Sequence, residues 1–431
     1  MTRKILKIVI IVLVLIALII GGIYLFSGQK TKTEISTSFK SFLPFGTVNN
    51  TPVTPTIDQT KPEEKPVTIG EQKITKTNKL TQVSKFTIAG SFPTQEIKKE
   101  TILQNDEKDP TRQKNVDINK TITNIRYVQK LTGNIFQTNL DSLEERLISD
   151  TTIPKIYESI FAKNGQSVIL RYLNENNKIQ TFYGDISGVS ETAVGGIRGD
   201  FLPEDISDLS VSPDGNKIFY LIKLTDKTIG VIYSLKDSKK TQIFSSPFSE
   251  WISGWATAKT IILTTKASAF SQGYSYSLNT ETKSFNKIIG NIPGLTTLMS
   301  PDGKFLLYSK IADKIPKLFL YSLIKKTSFD LGLNTLTEKC IWKNDSSSLF
   351  CGIPKSIDQM FYPDDWYQGS VSFSDELWKV DTKTDMPASI LIDKLNGYNI
   401  DVTKLSISVN ENYLFFINKK DSFLWSYKLG E

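Results

Sequence analysis

The sequence predicts an all-β protein, a β-propeller of seven blades, behind a single N-terminal transmembrane helix and a flexible linker. Three observations carry this expectation. Turn signals recur from Leu80 onward, each followed by an apolar strand run; a second signature of aromatic, polar and aliphatic residues follows in most copies. The clearest copies return about every 44 residues, the length of a four-stranded blade. At 431 residues and 39% apolar composition the chain can bury a sizeable core, which excludes disorder throughout.

Residues 1–4 form a cytoplasmic stub. Residues 5–26, from Ile5 to Phe26, are apolar apart from Lys7, and as a helix they would span about 33 Å, enough to cross a bilayer once. The apolar run continues through Ile23, Tyr24, Leu25 and Phe26 without a small-x-small cleavage site, so the expectation is an uncleaved signal-anchor. Arg3, Lys4 and Lys7 precede the span, which keeps the N-terminus cytoplasmic and puts the remainder of the chain outside the cell membrane. Residues 27–79 are rich in Thr, Pro and Lys and lack the apolar surface that would offset ordering entropy, so they read as a linker.

Residues 80–431 carry the repeats. Turn signals stand at Asn164-Gly165, Ser212-Pro213-Asp214-Gly215, Ser300-Pro301-Asp302-Gly303, Asn344-Asp345 and Asn410-Glu411. Strands follow as Val168-Ile169-Leu170, Ile218-Phe219-Tyr220-Leu221-Ile222, Phe305-Leu306-Leu307-Tyr308, Leu349-Phe350-Cys351 and Leu414-Phe415-Phe416-Ile417. Such continuous runs, rather than strict alternation, mean burial on both faces of a sheet. The second signature reads Tyr233-Ser234-Leu235, Tyr276-Ser277-Leu278, Tyr321-Ser322-Leu323, Trp378-Lys379-Val380 and Tyr427-Lys428-Leu429. Innermost strands near residues 89, 159, 208, 254, 298, 340 and 407 give seven blades; six result if the region before Thr121 stays outside the first sheet. The last blade runs out of chain after its third strand, so a strand at 79–84 is expected to complete it and close the ring.

Ser-Pro-Asp-Gly followed by a β-rich apolar strand, at 212–222 and 300–308, resembles the repeat of TolB-type and WD-repeat-like β-propellers. The resemblance implies the architecture for residues 80–431. It leaves function open, because this repeat serves binding modules and the propellers of larger enzymes alike.

The chain has no histidine, which excludes a Ser-His-Asp or Cys-His relay, His-ligated zinc and a histidine pH switch. Lys and Arg exceed Asp and Glu by only 7, with three of those charges at the N-terminus, so no nucleic-acid partner is expected. No cofactor or metal is implied: Asp106, Asp109, Asp117, Glu100 and Glu107 are interleaved with lysines and read as a solvated loop between the first two strands of blade one. Arg198-Gly199-Asp200 reads as a connection between strands. Cys340 and Cys351 flank a turn symmetrically and are candidates for a disulfide across two strands.

The candidate binding residues sit in blade six, where about twenty residues separate the second and third strands instead of roughly five. Phe361, Tyr362, Asp364, Asp365, Trp366 and Tyr367 crowd this loop, which would emerge on the face carrying the connections between blades. Aromatics beside acids suit a glycan or a basic protein segment; the same rings could instead fold down over the sheet. The functional expectation is a membrane-tethered, extracytoplasmic recognition or scaffold module with a monomeric ectodomain and an envelope protein or glycan as partner. The alternative is a propeller glycosidase-like hydrolase working with paired carboxylates from Asp364, Asp365, Asp375 and Glu376, a class that needs no histidine. No separate catalytic domain is evident.

Overall fold

A computed structural model describes residues 79–106, 109–190, 192–383 and 387–430. The stub, the transmembrane segment and all of the linker but Lys79 lie outside the described residues, as does Glu107. Among the described residues no helix is long and apolar enough to cross a membrane.

After β1 (Leu80–Gln82), blade one holds β2 (Ile88–Asp106), β3 (Asp109–Gln129), β4 (Ile135–Asn139) and β5 (Glu145–Ser149). Blade two holds β6 (Ile156–Ala162), β7 (Ser167–Leu173), β8 (Ile179–Ser187) and β9 (Gly196–Phe201). Blade three holds β10 (Ile206–Val211), β11 (Lys217–Lys223), β12 (Thr228–Ser234) and β13 (Lys240–Ser246). Blade four holds β14 (Trp251–Thr257), β15 (Thr260–Thr265), β16 (Gln272–Asn279) and β17 (Phe285–Pro293). Blade five holds β18 (Thr296–Met299), β19 (Phe305–Ala312), β20 (Ile315–Ser322) and β21 (Thr327–Asp330). Blade six holds β22 (Cys340–Trp342), β23 (Ser348–Pro354), β24 (Asp375–Asp381) and β25 (Ala388–Asp393). Blade seven is β26 (Val402–Ile407), β27 (Tyr413–Asn418) and β28 (Leu424–Lys428), completed on its outer edge by β1. This strand order makes the protein a seven-bladed β-propeller. In β1, Leu80 faces Tyr427, Thr81 faces Ser426 and Gln82 faces Trp425.

The turns explain why the strands start where they do. In both Ser-Pro-Asp-Gly copies the serine hydroxyl donates to the aspartate, at 2.5 Å from Ser212 to Asp214 and 2.7 Å from Ser300 to Asp302. The same serine oxygen accepts the first strand amide, from Lys217 and Phe305. Gly215 and Gly303 take the positive φ, 70° and 71°, that the fourth position needs. Ser408 and Asn410 repeat the device in blade seven.

The core is a ring of seams between neighbouring blades. Ile218 and Tyr220 of β11 pack with Ile169 and Tyr183 of blade two, while Phe219 and Leu221 pack with Trp251 and Trp255 of blade four. Successive side chains point to opposite faces, so a strand with a neighbour on each side is apolar at every position. Phe415, Ile417 and Leu424 meet Ile88, Ile125 and Tyr127 of blade one, which closes the ring.

Two local expectations are corrected. Of the stretch around Asp106 to Asp117, the residues through Asp106 and from Asp109 to Asp117 are strand rather than loop: β2 and β3 pair along their length, where the Thr101 hydroxyl donates to Asp117 at 2.7 Å and Lys120 lies 3.8 Å from Glu100. Cross-strand pairs of this kind hold a two-stranded ribbon in register despite its charge. Arg198-Gly199-Asp200 is not a connection but part of β9, paired with β8. A Cβ on Gly199 would stand 1.9 Å from the Tyr183 carbonyl oxygen, so the glycine is there for strand approach.

Candidate functional site

In each blade the second-to-third loop and the link to the next blade share one face, here called upper. The blade-six loop lies on that face, between β23 and β24. It forms a single short helix, α1 (Asp364–Gln368), ended by Gly369 at φ 80°. Asp365 accepts the Phe361 amide at 2.8 Å, and Asp364 accepts the Ala269 amide of blade four at 2.6 Å. The second bond carries the blade-four loop over to the blade-six loop, so Phe270 and Phe361 meet with ring centroids 4.9 Å apart.

The six candidate residues divide. Tyr362 and Trp366 are buried and form a small core with Leu336 and Phe373. Phe361 is 49% exposed and its partner Phe270 74%, with Met360 nearby in sequence also exposed. Tyr367 turns inward and donates its hydroxyl to Glu338.

Beneath α1 lies a buried ionic cluster. Lys339, Asp375 and Asp401 have fully buried side chains, and the Lys339 Nζ sits 2.7 Å from Asp375 and 2.5 Å from Asp401. Its third bond goes to the Val402 carbonyl at 2.9 Å. Asp401 also accepts Trp366 Nε1 at 3.0 Å and the Phe373 amide at 2.9 Å. The cluster therefore ties the innermost strand of blade six, the start of β24, the start of blade seven and the aromatic base of the loop. Burial pushes the Asp375 carboxyl up to about 6 despite the neighbouring lysine.

A cavity of about 530 Å³ runs along the axis, walled chiefly by innermost strands of blades four to seven. Trp255, Leu298, Ile341 and Ile407 make it apolar; Glu338 and Tyr367 stand in its wall. Burial raises the Glu338 pKa, and burial followed by the Glu338 charge raises that of Tyr367. Nearer the starts of blades two and three, Arg171 Nη1 lies 2.6 Å from Glu158, and Asp208 accepts the Ser253 amide and hydroxyl at 2.7 and 2.6 Å.

Burial raises Asp208 to about 6, with Ser253 and Arg171 opposing the shift and Glu158 adding to it. A carboxyl raised on folding contributes stability below its unfolded pKa near 4 and loses it as pH rises through about 6. Asp208→Asn, which keeps an acceptor for Ser253, should therefore gain ~1–2 kcal/mol relative to the parent between pH 4.5 and 7.5. Denaturant unfolding at the two pH values checks this; an unchanged difference would refute it.

The four carboxylates considered for glycoside chemistry serve different partners. Asp364 holds Ala269, Asp365 holds Phe361, Asp375 holds Lys339 and the Val402 amide, and Glu376 accepts Trp378 Nε1 at 3.3 Å. Cys340 and Cys351 face each other in adjacent strands and are joined, with Cα atoms 4.1 Å apart. Among the described residues no group of three or more acids and cysteines is placed to hold a metal.

Sequence reasoning missed Lys339, Asp401, Glu338 and Phe270. A signal existed for Lys339: a cation placed directly before the apolar strand Cys340-Ile341-Trp342 at an innermost position. Phe270 gave none, since its meaning depends on a hydrogen bond from another blade.

The strand order makes this a seven-bladed β-propeller, and its Ser-Pro-Asp-Gly turns resemble the repeat of TolB-like and WD-repeat-like propellers. No family model matches the chain, and no curated protein sequence does. Among solved structures it is similar to an oligogalacturonate lyase from Vibrio parahaemolyticus, at 11% identity and a TM-score of 0.46, covering 80% of this chain and 99% of that one. It is also similar to the β-propeller domain of the Trilobed protease from Pyrococcus furiosus, at 13% identity and a TM-score of 0.47, covering 80% and 96%. TolB from Acinetobacter baumannii matches at 11% identity and a TM-score of 0.38, covering 79% and 80%.

Proposed function

We propose that the chain is a membrane-tethered recognition module, anchored by residues 5–26, spaced from the membrane by 27–79, and binding an envelope protein through the upper face of an extracytoplasmic propeller. The observation that carries this reading is the exposed Phe270–Phe361 pair on a fixed base: both loops are held by carboxylate-to-amide bonds, and Tyr362 and Trp366 are buried beneath them. Rigid aromatic contacts lose little entropy on binding and are typical anchors of interfaces. Exposed Met360 extends the surface with adaptable apolar contact, which favours a protein segment over a sugar.

Phe270→Ala combined with Phe361→Ala in the full-length chain tests this. In-cell crosslinking from the upper face should capture a specific envelope protein with the parent and at least tenfold less with the variant. The melting temperature should stay put, since exposed side chains change stability by about 0.5 kcal/mol or less. Undiminished capture would refute the proposal, and displacement of the capture by a neutral glycan would assign the surface to sugar.

A further inference from the structure

On the lower face, opposite the blade-six loop, a polar pocket of about 370 Å³ opens between blades one and two. Its wall carries two guanidinium groups. Arg126 of β3 is clamped: Nε donates to Gln137 Oε1 at 2.7 Å, and Nη1 donates to the Gly165 carbonyl at 2.8 Å. That carbonyl is presented by the turn where Asn164 and Gly165 adopt φ of 54° and 83°. Arg146 of β5 donates Nη1 to the Ser190 carbonyl at 3.0 Å. Both arginines thus hold neutral partners, and among the described residues neither is in an ion pair.

The pocket contains one acid, Glu96, and its Oε2 already accepts Asn124 Nδ2 at 3.3 Å. Burial, then the Arg146 charge, lowers the Arg126 pKa, with the Glu96 charge opposing the shift, so the two cations still work against each other across the pocket. Folding gains nothing from such a pair, whereas an anion between them would relieve it. Thr94 Oγ1, buried in the same wall, has no hydrogen-bond partner. The remaining lining is largely amide and hydroxyl, from Gln95, Asn164, Gln166 and Ser190.

We propose that this pocket binds an acidic sugar of one or two rings, its carboxylate between Arg126 and Arg146 and its hydroxyls on the surrounding amides. The planar guanidinium fork matches a carboxylate in two bonds, the cavity is far larger than a free inorganic anion needs, and side-chain amides supply both donors and acceptors for a polyol. The site is separate from the upper-face surface and does not depend on it.

Calorimetric titration of the full-length chain with glucuronate, glucose and inorganic phosphate tests the assignment. Glucuronate should bind, with glucose and phosphate at least tenfold weaker. Arg146→Gln should reduce glucuronate affinity at least tenfold while its melting temperature equals or exceeds the parent's, because one of two opposed charges is gone. Arg126→Gln should also lose binding, but its clamped guanidinium makes it the poorer probe of the two. No glucuronate binding, equal binding of glucose or phosphate, or an Arg146→Gln protein that binds like the parent would overturn the proposal.

Discussion

Replacing Lys339 by Met should cost the fold about 3–5 kcal/mol, among the largest effects of any single side chain described here. The ammonium lies between Asp375 and Asp401, all three side chains being fully buried. Methionine fills the volume but leaves two fully buried carboxylates together without the ammonium they share. The pH dependence carries the signature. Burial already raises the Asp375 carboxyl against the opposing pull of the lysine, so without Lys339 the deficit should shrink as pH falls toward 4 and widen above 6. A variant that also carries Asp375→Asn and Asp401→Asn should recover most of the loss at neutral pH. Denaturant unfolding of the three proteins decides this, and a Lys339→Met protein as stable as the parent would show that the cluster is not coupled to folding. Because Trp366 and the Phe373 amide also bond to Asp401, the blade-six loop should become protease-sensitive in the same variant.

Deleting residues 79–84 should be at least as damaging, and far more so than deleting residues 28–70. The short deletion removes β1 and the Val83 that follows it; Leu80 and Val83, each 3% exposed, pack in the seams with blades six and one. Losing two such side chains costs roughly 3–6 kcal/mol. It also removes the Val83 amide bond to the Leu424 carbonyl at 2.7 Å and the Lys79 carbonyl that accepts the Lys428 amide at 2.8 Å, leaving β28 as an open edge. The long deletion leaves every described residue in place. Comparing the melting temperatures of the two truncations checks the contrast; equal values would mean that ring closure contributes little.

How much of this was legible in the residues depends on the range over which each signal acts. The Ser-Pro-Asp-Gly turns are local devices in which serine, aspartate and glycine act within five residues, and they mark strand starts in any context. The unbroken run Ile218-Phe219-Tyr220-Leu221 states burial on both faces, because β pleating sends alternate side chains to opposite sides. The period and the missing fourth strand of the last blade then count the blades. The hairpin formed by β2 and β3 was obscured because its charge resembles a solvated loop, and its order comes from a cross-strand register that runs from Asp106 facing Asp109 to Ile88 facing Gln129.

The candidate loop shows the division most clearly. Its density of aromatics marked an unusual segment, but the residues alone left open which rings face solvent. Trp366 is buried because Asp401, supplied by the start of blade seven, accepts its indole N–H; Phe361 is exposed because Asp365 and Asp364 fix the backbone on either side of the turn. Periodicity and turn chemistry are written in neighbouring residues, so the sequence by itself determined the blades and their order, while the choice of seven over six waited for β2 and β3 to be seen in the first sheet. Which charges are buried together, which aromatic pair is presented and where two arginines share a pocket depend on partners brought from other blades, and those only the closed ring could decide.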